Sequence, residues 1–350
     1  MFLVLALAAL IWGIGHLLHA PKMMVRLMLA LLWLAVVLLQ LTLPDGHALR
    51  EATGGSAALW LLLAGAAVLV WVYRMGLGKL KARVATEAAE ASDDKPKPTF
   101  SETELNRYAR HIIMREVGGA GQKRLKNAKV LVIGAGGLGS PALLYLAAAG
   151  VGTIGVIDDD EVDNSNLQRQ VIHNDADIGL PKVFSAEKAM KAQNPFIEVR
   201  PYQRRLEAET AADLFAEYDI VLDGTDNFDT RYLANRICVE QGKPLISGAL
   251  SQWEGQVSVF HPQKGGPCYQ CVFPEAPAAG LAPSCAEAGV IAPLPGVIGT
   301  MMAVECMKLI TRAGSVLRGE MMIYDALWGE TRKFTVHPRD DCPICGKTGG

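Results

Sequence analysis

The sequence predicts an α/β fold: a Rossmann-like, doubly wound sheet extended by antiparallel strands and preceded by transmembrane α-helices. Three observations carry this expectation. Short β-branched runs alternate with longer helical patterns after residue 129, the glycine-rich segment VLVIGAGGLGS joins the first such run to a helix, and the longest apolar stretches all precede residue 75. The chain has 350 residues, half of them apolar, enough for one large domain and an accessory region.

Three N-terminal stretches, Phe2 to Ala20, Leu27 to Leu43 and Ala57 to Tyr73, lack Asp, Glu, Lys and Arg. Each approaches the roughly 20 residues that a helix needs to cross a bilayer. Met1-Phe2-Leu3-Val4 has no basic side chain and His16 to Lys22 offers no cleavage site, so an uncleaved anchor over residues 1–75 is expected rather than a signal peptide. Lys22 and Arg26 lie between the first two stretches, and Arg74, Lys79, Lys81 and Arg83 come after the third. The positive-inside rule then puts both basic segments, and the rest of the chain, in the cytoplasm, with the anchor multi-pass in the inner or plasma membrane. Residues 76–100 are expected to be a flexible linker, because VATEAAEASDDKPKP is charged, small and proline-bearing.

The third region is 101–350. Ser101 and Glu104 form a capping-box signature, and Leu105, Tyr108, Ile112 and Ile113 then give helical spacing beside Arg107 and Arg110. Val130 to Ile133, Ile154 to Ile157, Ile220 to Leu222 and Leu245 to Ile246 are the expected parallel strands. Val257 to Phe260, Met321 to Tyr324 and Lys333 to Val336 read as antiparallel strands flanking an apolar helix near Gly296 to Ile310.

The glycine loop, with Gly134, Gly136, Gly137 and Gly139, suits phosphate approach to helix N-terminal amides. Alone it is a weak signal. With Asp158 at the end of the next strand it fits a nicotinamide or flavin enzyme as well. The residues beyond Asp158 separate the two readings. Asp160, Ser165, Asn166, Leu167, Gln168 and Arg169 crowd the region after that strand, and Gly179-Leu-Pro-Lys182 brings a lysine to a helix start. Cations there suit an enzyme that neutralises charge moving onto pyrophosphate. Asp223-Gly-Thr-Asp226-Asn227 adds a carboxylate suited to magnesium. No GxxxxGK[ST] loop is present.

Seven cysteines are too few for a disulfide scaffold. Cys268-Tyr-Gln-Cys271 and Cys342-Pro-Ile-Cys345 have the spacing of two knuckles that supply four thiolates to one closed, structural zinc site. A redox role is disfavoured by the lack of a thioredoxin-like setting. Cys238 and Cys306 fall in helical patterns and read as small buried residues. The formal charge of -2 gives no general attraction to nucleic acid.

GAGGLGS, SNLQRQ, GLPK, DGTDN, CYQC, SCAEAGV, PGVIG and CPIC occur in the order found in the MoeB/ThiF/HesA family, and on these motifs residues 101 to 346 resemble it, with MoeB-type members nearest. The first hundred residues lie outside the resemblance. It implies an adenylyltransferase that uses ATP and magnesium to activate the C-terminal glycine of a ubiquitin-like sulfur-carrier protein ending in Gly-Gly, with a sulfurtransferase or cysteine desulfurase as a further partner. It implies that Arg110 is donated across a homodimer to the neighbour's nucleotide site. Asn166, Arg169 and Lys182 would contact phosphates, Asp158 the ribose, and Asp226 the magnesium. Cys285 matches a crossover-loop cysteine, for which two roles stay open: a covalent link to the carrier, as in ThiF-like members, or none, as in MoeB-like ones. The alternative within the superfamily is a tRNA threonylcarbamoyladenosine dehydratase, against which the paired CxxC knuckles count.

Overall fold

The computed structural model describes residues 2–18, 20–93, 99–277 and 288–346, and the chain divides into two compact units, Met1–Lys97 and Pro98–Gly350. The first unit contains α1 (Phe2–Leu17), α2 (Lys22–Thr42), α3 (Ala48–Ala52) and α4 (Ala57–Asp93). Its small interior is Val4, Val36, Val37 and Trp60. Around Thr53, Gln40 Nε2 donates to the Thr53 hydroxyl at 2.8 Å and the Trp60 indole N–H to the Thr53 carbonyl at 3.1 Å. Most other apolar side chains face outward, among them Leu31, Leu38, Leu62, Leu69 and Trp71.

Met23–Thr42 and Ala48–Lys81 contain windows long and apolar enough to cross a membrane. With 16 residues, α1 rises only about 24 Å, short of the roughly 30 Å hydrocarbon core. The long apolar helix Pro293–Thr311 meets the same length test, but half of its apolar window is buried within the second unit. In the stretch expected as a linker, α4 continues through residues 76–93. Lys, Glu and Ala, frequent there, are good helix formers, and extending a helix already nucleated needs no second nucleus.

The second unit is built on one eight-stranded sheet, ordered β3-β2-β1-β4-β5-β6-β7-β8. β1 (Lys129–Ile133), β2 (Thr153–Ile157), β3 (Glu198–Tyr202), β4 (Ile220–Asp223) and β5 (Leu245–Leu250) pair in parallel. β6 (Glu254–Phe260), β7 (Glu320–Asp325) and β8 (Glu330–Thr335) continue the sheet in antiparallel pairing, as expected. β1 is buried on both faces. Val130 and Val132 join one core with Leu143 and Leu146 of α8 (Gly139–Ala149) and Ile298 and Met302 of α13 (Pro293–Thr311). Leu131 and Ile133 join the other, with Phe215 of α10 (Ala208–Ala216) and Ile237 of α11 (Phe228–Gln241). Alternate side chains of a strand point to opposite faces, so this central strand needs apolar residues at consecutive positions.

The opening helix is not continuous. It forms α5 (Glu102–Arg107), with the Ser101–Glu104 capping box present, and α6 (Ala109–Ile112). Tyr108 between them turns inward, where its hydroxyl accepts a hydrogen bond from Asn194 Nδ2 at 2.8 Å and its ring occupies the space a side chain at Gly150 would need. α7 (Gly118–Asn127), α9 (Lys182–Gln193) and α12 (Tyr269–Val272) complete the helices used below.

Candidate active site

After β1 the chain reverses through Gly134, whose φ of +93° an L side chain rarely adopts. Gly139 then opens α8, and a Cβ there would sit 1.9 Å from the Gly134 carbonyl oxygen. The chain after β1 leads to α8 on one face of the sheet, and the chain after β4 leads to α11 on the other. Such a divergence leaves a crevice at the strands' carboxyl ends. A cleft of about 1210 Å³ lies there, and Gly136, Gly137, Asp158, Asp160, Ser165, Asn166, Arg169, Lys182, Asp226 and Asn227 all line it. Leu167 and Gln168, expected with them, do not. They lie between Asn166 and Arg169, in the turn that follows the 3-10 helix Asn164–Asn166, which presents only some of its side chains to the cleft.

Asp158 accepts hydrogen bonds from Ala135 N at 2.7 Å and Asp160 N at 2.9 Å, which ties the end of β2 to the glycine loop. Burial pushes its carboxyl above the usual range, partly opposed by the Lys182 ammonium. Lys182, buried at the start of α9, reaches Asp160 Oδ2 at 2.6 Å. Asn166 Oδ1 accepts from Gln170 Nε2 at 2.6 Å. Arg169 Nη1 donates to the Ser165 carbonyl at 3.0 Å. Asp226 is exposed and meets no donor among the described residues, while Asn227 caps α11 by accepting from Thr230 N at 2.8 Å.

The segment carrying Asp226 is held by a buried ion pair that sequence reasoning missed. Asp223 Oδ2 lies 3.1 Å from Arg231 Nη1, and both side chains are shut off from solvent. Arg231 also donates to Ser247 Oγ at 3.0 Å, to the Gly248 carbonyl at 2.8 Å and to the Thr225 carbonyl. Asp223 in turn accepts from Ser247 Oγ at 2.9 Å and from the Thr225 hydroxyl at 2.7 Å. The buried Gln170 and the exposed Arg204 and Arg205 also line the cleft without having been singled out.

Arg110 lies elsewhere. It is exposed, meets no acceptor among the described residues, and lines a shallow concavity with Arg107, Tyr108, His111, Tyr145 and Met307. Cys285 lies outside the described residues.

Cys268, Cys271, Cys342 and Cys345 come together as a buried group. Sγ separations are 3.7 Å for Cys268–Cys271, 3.6 Å for Cys268–Cys342 and 3.2 Å for Cys271–Cys345. Four Zn–S bonds of about 2.3 Å in a tetrahedron place sulfurs about 3.8 Å apart, so this donor set fits zinc. Val239 and Ile344 pack around it. Cys238 and Cys306 are buried away from this group, and burial pushes both thiols up, which leaves them inert.

Residues 108–344 match the ThiF family. The chain is 49% identical over 251 residues to a sulfur carrier protein adenylyltransferase of Thermus thermophilus, covering 71% of this chain and 93% of that one. It is 48% identical over 249 residues to the SAMP-activating enzyme E1 of Haloferax volcanii, covering 71% and 91%. To the probable adenylyltransferase/sulfurtransferase MoeZ of Mycobacterium tuberculosis it is 51% identical over 251 residues, which is 71% of this chain and 64% of that one. The fold resembles the crystal structure of E. coli MccB, with a TM-score of 0.61 and 25% identity, covering 71% of this chain and 75% of that one.

Proposed function

Because this chain belongs to the ThiF family, we propose that its second unit adenylylates the C-terminal glycine of a ubiquitin-like sulfur-carrier protein, using ATP and releasing pyrophosphate. The chain is a nucleotidyltransferase, and its relatives at 48% and 49% identity are named a SAMP-activating E1 and a sulfur carrier protein adenylyltransferase. The observation that carries the reading is one cleft holding a glycine loop, Asn166, Arg169, Lys182 and Asp226 together.

In the reaction, an oxygen of the carrier's terminal carboxylate bonds to the α-phosphorus as the bond to the bridging oxygen breaks, and that electron pair leaves on pyrophosphate. The carboxylate needs no general base, being ionised at neutral pH. Its obstacle is repulsion by the triphosphate, which Arg169 and Lys182 relieve within the cleft. Charge-assisted bonds aimed at such developing charge are worth most where water is excluded, and Lys182 is already buried. Asn166 donates to a phosphate oxygen, Gly137 lets the backbone approach, and Asp158 keeps lone pairs for a ribose hydroxyl. Asp226, exposed at the cleft, is the carboxylate for magnesium, whose chemistry would be to neutralise phosphate charge.

Arg110 serves the cleft of a second copy in a homodimer; its absence from the lining of its own cleft and its lack of a partner among the described residues support this. Zinc at the four cysteines staples the C-terminal knuckle to the sheet. Residues 1–75 anchor the enzyme in the inner or plasma membrane, with the second unit cytoplasmic; the outward apolar faces of α2 and α4 support it. A sulfurtransferase, an activity that MoeZ's name carries, or a cysteine desulfurase is the matching sulfur source.

ATP–pyrophosphate exchange by the purified full chain in detergent, against a panel of Gly-Gly-ended carriers and their glycine-deleted forms, tests the reading. Exchange that needs one intact carrier and vanishes in Asp226→Ala is expected. ATP binding without exchange for any carrier would overturn it.

A further inference from the structure

A buried chain of polar groups behind the glycine loop has no place in the chemistry above. His173 Nε2 lies 2.9 Å from the Ala135 carbonyl oxygen, and His173 Nδ1 lies 2.8 Å from Ser185 Oγ. Ser185 Oγ is 2.9 Å from Asp177 Oδ2, which also accepts from Asn174 Nδ2 at 2.9 Å, while Asp177 Oδ1 meets Lys188 Nζ at 2.8 Å. His173, Ser185 and Asp177 are all buried, and none lines the cleft.

One end of the ring is fixed by its partner. A carbonyl only accepts, so Nε2 carries the hydrogen, and in the neutral imidazole Nδ1 is then bare. The single Ser185 hydroxyl hydrogen lies between Nδ1 and Asp177 Oδ2, and either placement leaves Nε2 as the donor to the Ala135 carbonyl. Asp177 keeps its bonds from Asn174 and Lys188.

The consequence reaches the cleft through the next peptide. All described peptides are trans, and a trans peptide points its C=O and N–H in opposite directions. Anchoring the Ala135 carbonyl on His173 thus turns the Gly136 N–H away from His173. Gly136 lines the cleft, and its N–H meets no acceptor among the described residues. The preceding peptide is fixed as well, since Ala135 N donates to Asp158 at 2.7 Å.

We infer that His173 is a positioning residue: through the Ala135 carbonyl it aims the Gly136 N–H at a phosphate of the bound nucleotide, with Ser185 Oγ holding the ring at Nδ1. The inference rests on the nucleotide reading of the cleft. It assigns to His173 a contribution to phosphate recognition that adenosine, lacking phosphate, would not register.

Isothermal titration of the full chain in detergent with ATP, and separately with adenosine, reads this difference. His173→Phe keeps ring bulk without the donor and should weaken ATP roughly tenfold while adenosine changes less than about twofold, as loss of one aimed bond to a charged group implies. His173→Gln, whose amide can donate, should recover most of the loss. Ser185→Ala keeps the imidazole but removes its Nδ1 partner, and should weaken ATP by a smaller factor, again sparing adenosine. Unchanged ATP affinity in His173→Phe, or equal losses for both ligands, would overturn the inference. If His173→Phe does not fold, wild-type ATP affinity in Ser185→Ala would overturn it. A wild-type chain that binds neither ligand removes the nucleotide reading itself.

Discussion

Replacing Arg231 by alanine should unfold the second unit far more readily than its single charge suggests. The guanidinium supplies four hydrogen bonds, to Asp223, Ser247, Gly248 and Thr225. Asp223 is fully buried, and truncation leaves its carboxylate with hydroxyl and amide donors but no opposing charge. Removing one partner of a buried ion pair costs about 3–5 kcal/mol, which raises the unfolded fraction by roughly a hundred- to a few thousand-fold. Pulse proteolysis of the full chain in urea, read on the fragment carrying the second unit, measures that population directly. Arg231→Lys restores charge without the planar fork and should fall between wild type and alanine. Combining Arg231→Met with Asp223→Leu should cost less than the two changes summed, by more than about 1 kcal/mol. A cost below about 1 kcal/mol for alanine, or strict additivity in the double variant, would refute the account of the pair as the clamp on the Asp226 segment.

Three further outcomes are expected. Elemental analysis should find one zinc per chain, and a strong chelator should release it and make the segment around Cys342 sensitive to protease, because the four thiolates tie that segment to Cys268 and Cys271. Asp177 is held well below the usual carboxylate range, first by its hydrogen bond from Lys188 and then by Asn174. A depressed folded pKa stabilises above the unfolded value near 3.8 and that stability is lost as pH falls through the folded pKa, so Asp177→Asn should flatten the acid limb of a stability–pH curve. Gly139→Ala forces a Cβ to within 1.9 Å of the Gly134 oxygen, so ATP affinity measured by titration should fall at least tenfold, by roughly the 1.4 kcal/mol that such a factor represents.

The parts of this protein that chemistry spaces along the chain were the legible ones. Two CxxC pairs announced their cluster, and the run from Asp158 to Lys182 announced cations beside a glycine loop, because each depends on local order. β3 went unread because Glu198-Val-Arg-Pro-Tyr202 neither alternates nor runs apolar. At a sheet edge one side of the strand makes no ladder bonds, so Pro201 is tolerated there. In DTRYLANRI nothing local sets Arg231 apart from a solvated helix charge. Only the fold brings it to Asp223, Ser247 and Gly248, the last two lying 16 and 17 positions further along the chain. His173 was hidden for the same reason, since its partner Ala135 is 38 positions away. The expected helix from Ser101 was right in period and wrong in continuity, because Tyr108 is claimed by Asn194 and Gly150, a tertiary contact no local pattern contains.

The order of strands in the sheet also sets a timetable for the nascent chain. β1 sits between β2 and β4, and the partner residues of β1 and β4 are separated by 90 positions, as Lys129 and Asp219 are. At about 5–20 residues per second of synthesis, β1 waits roughly 5–20 s for its second neighbour. Throughout that interval Leu131 and Val132 have one flank unpaired, an open strand edge of the kind that recruits other chains. The apolar helices emerge first, so if they enter a bilayer before β1 appears, each incomplete sheet matures on a separate tether, held apart from its neighbours while the edge is open.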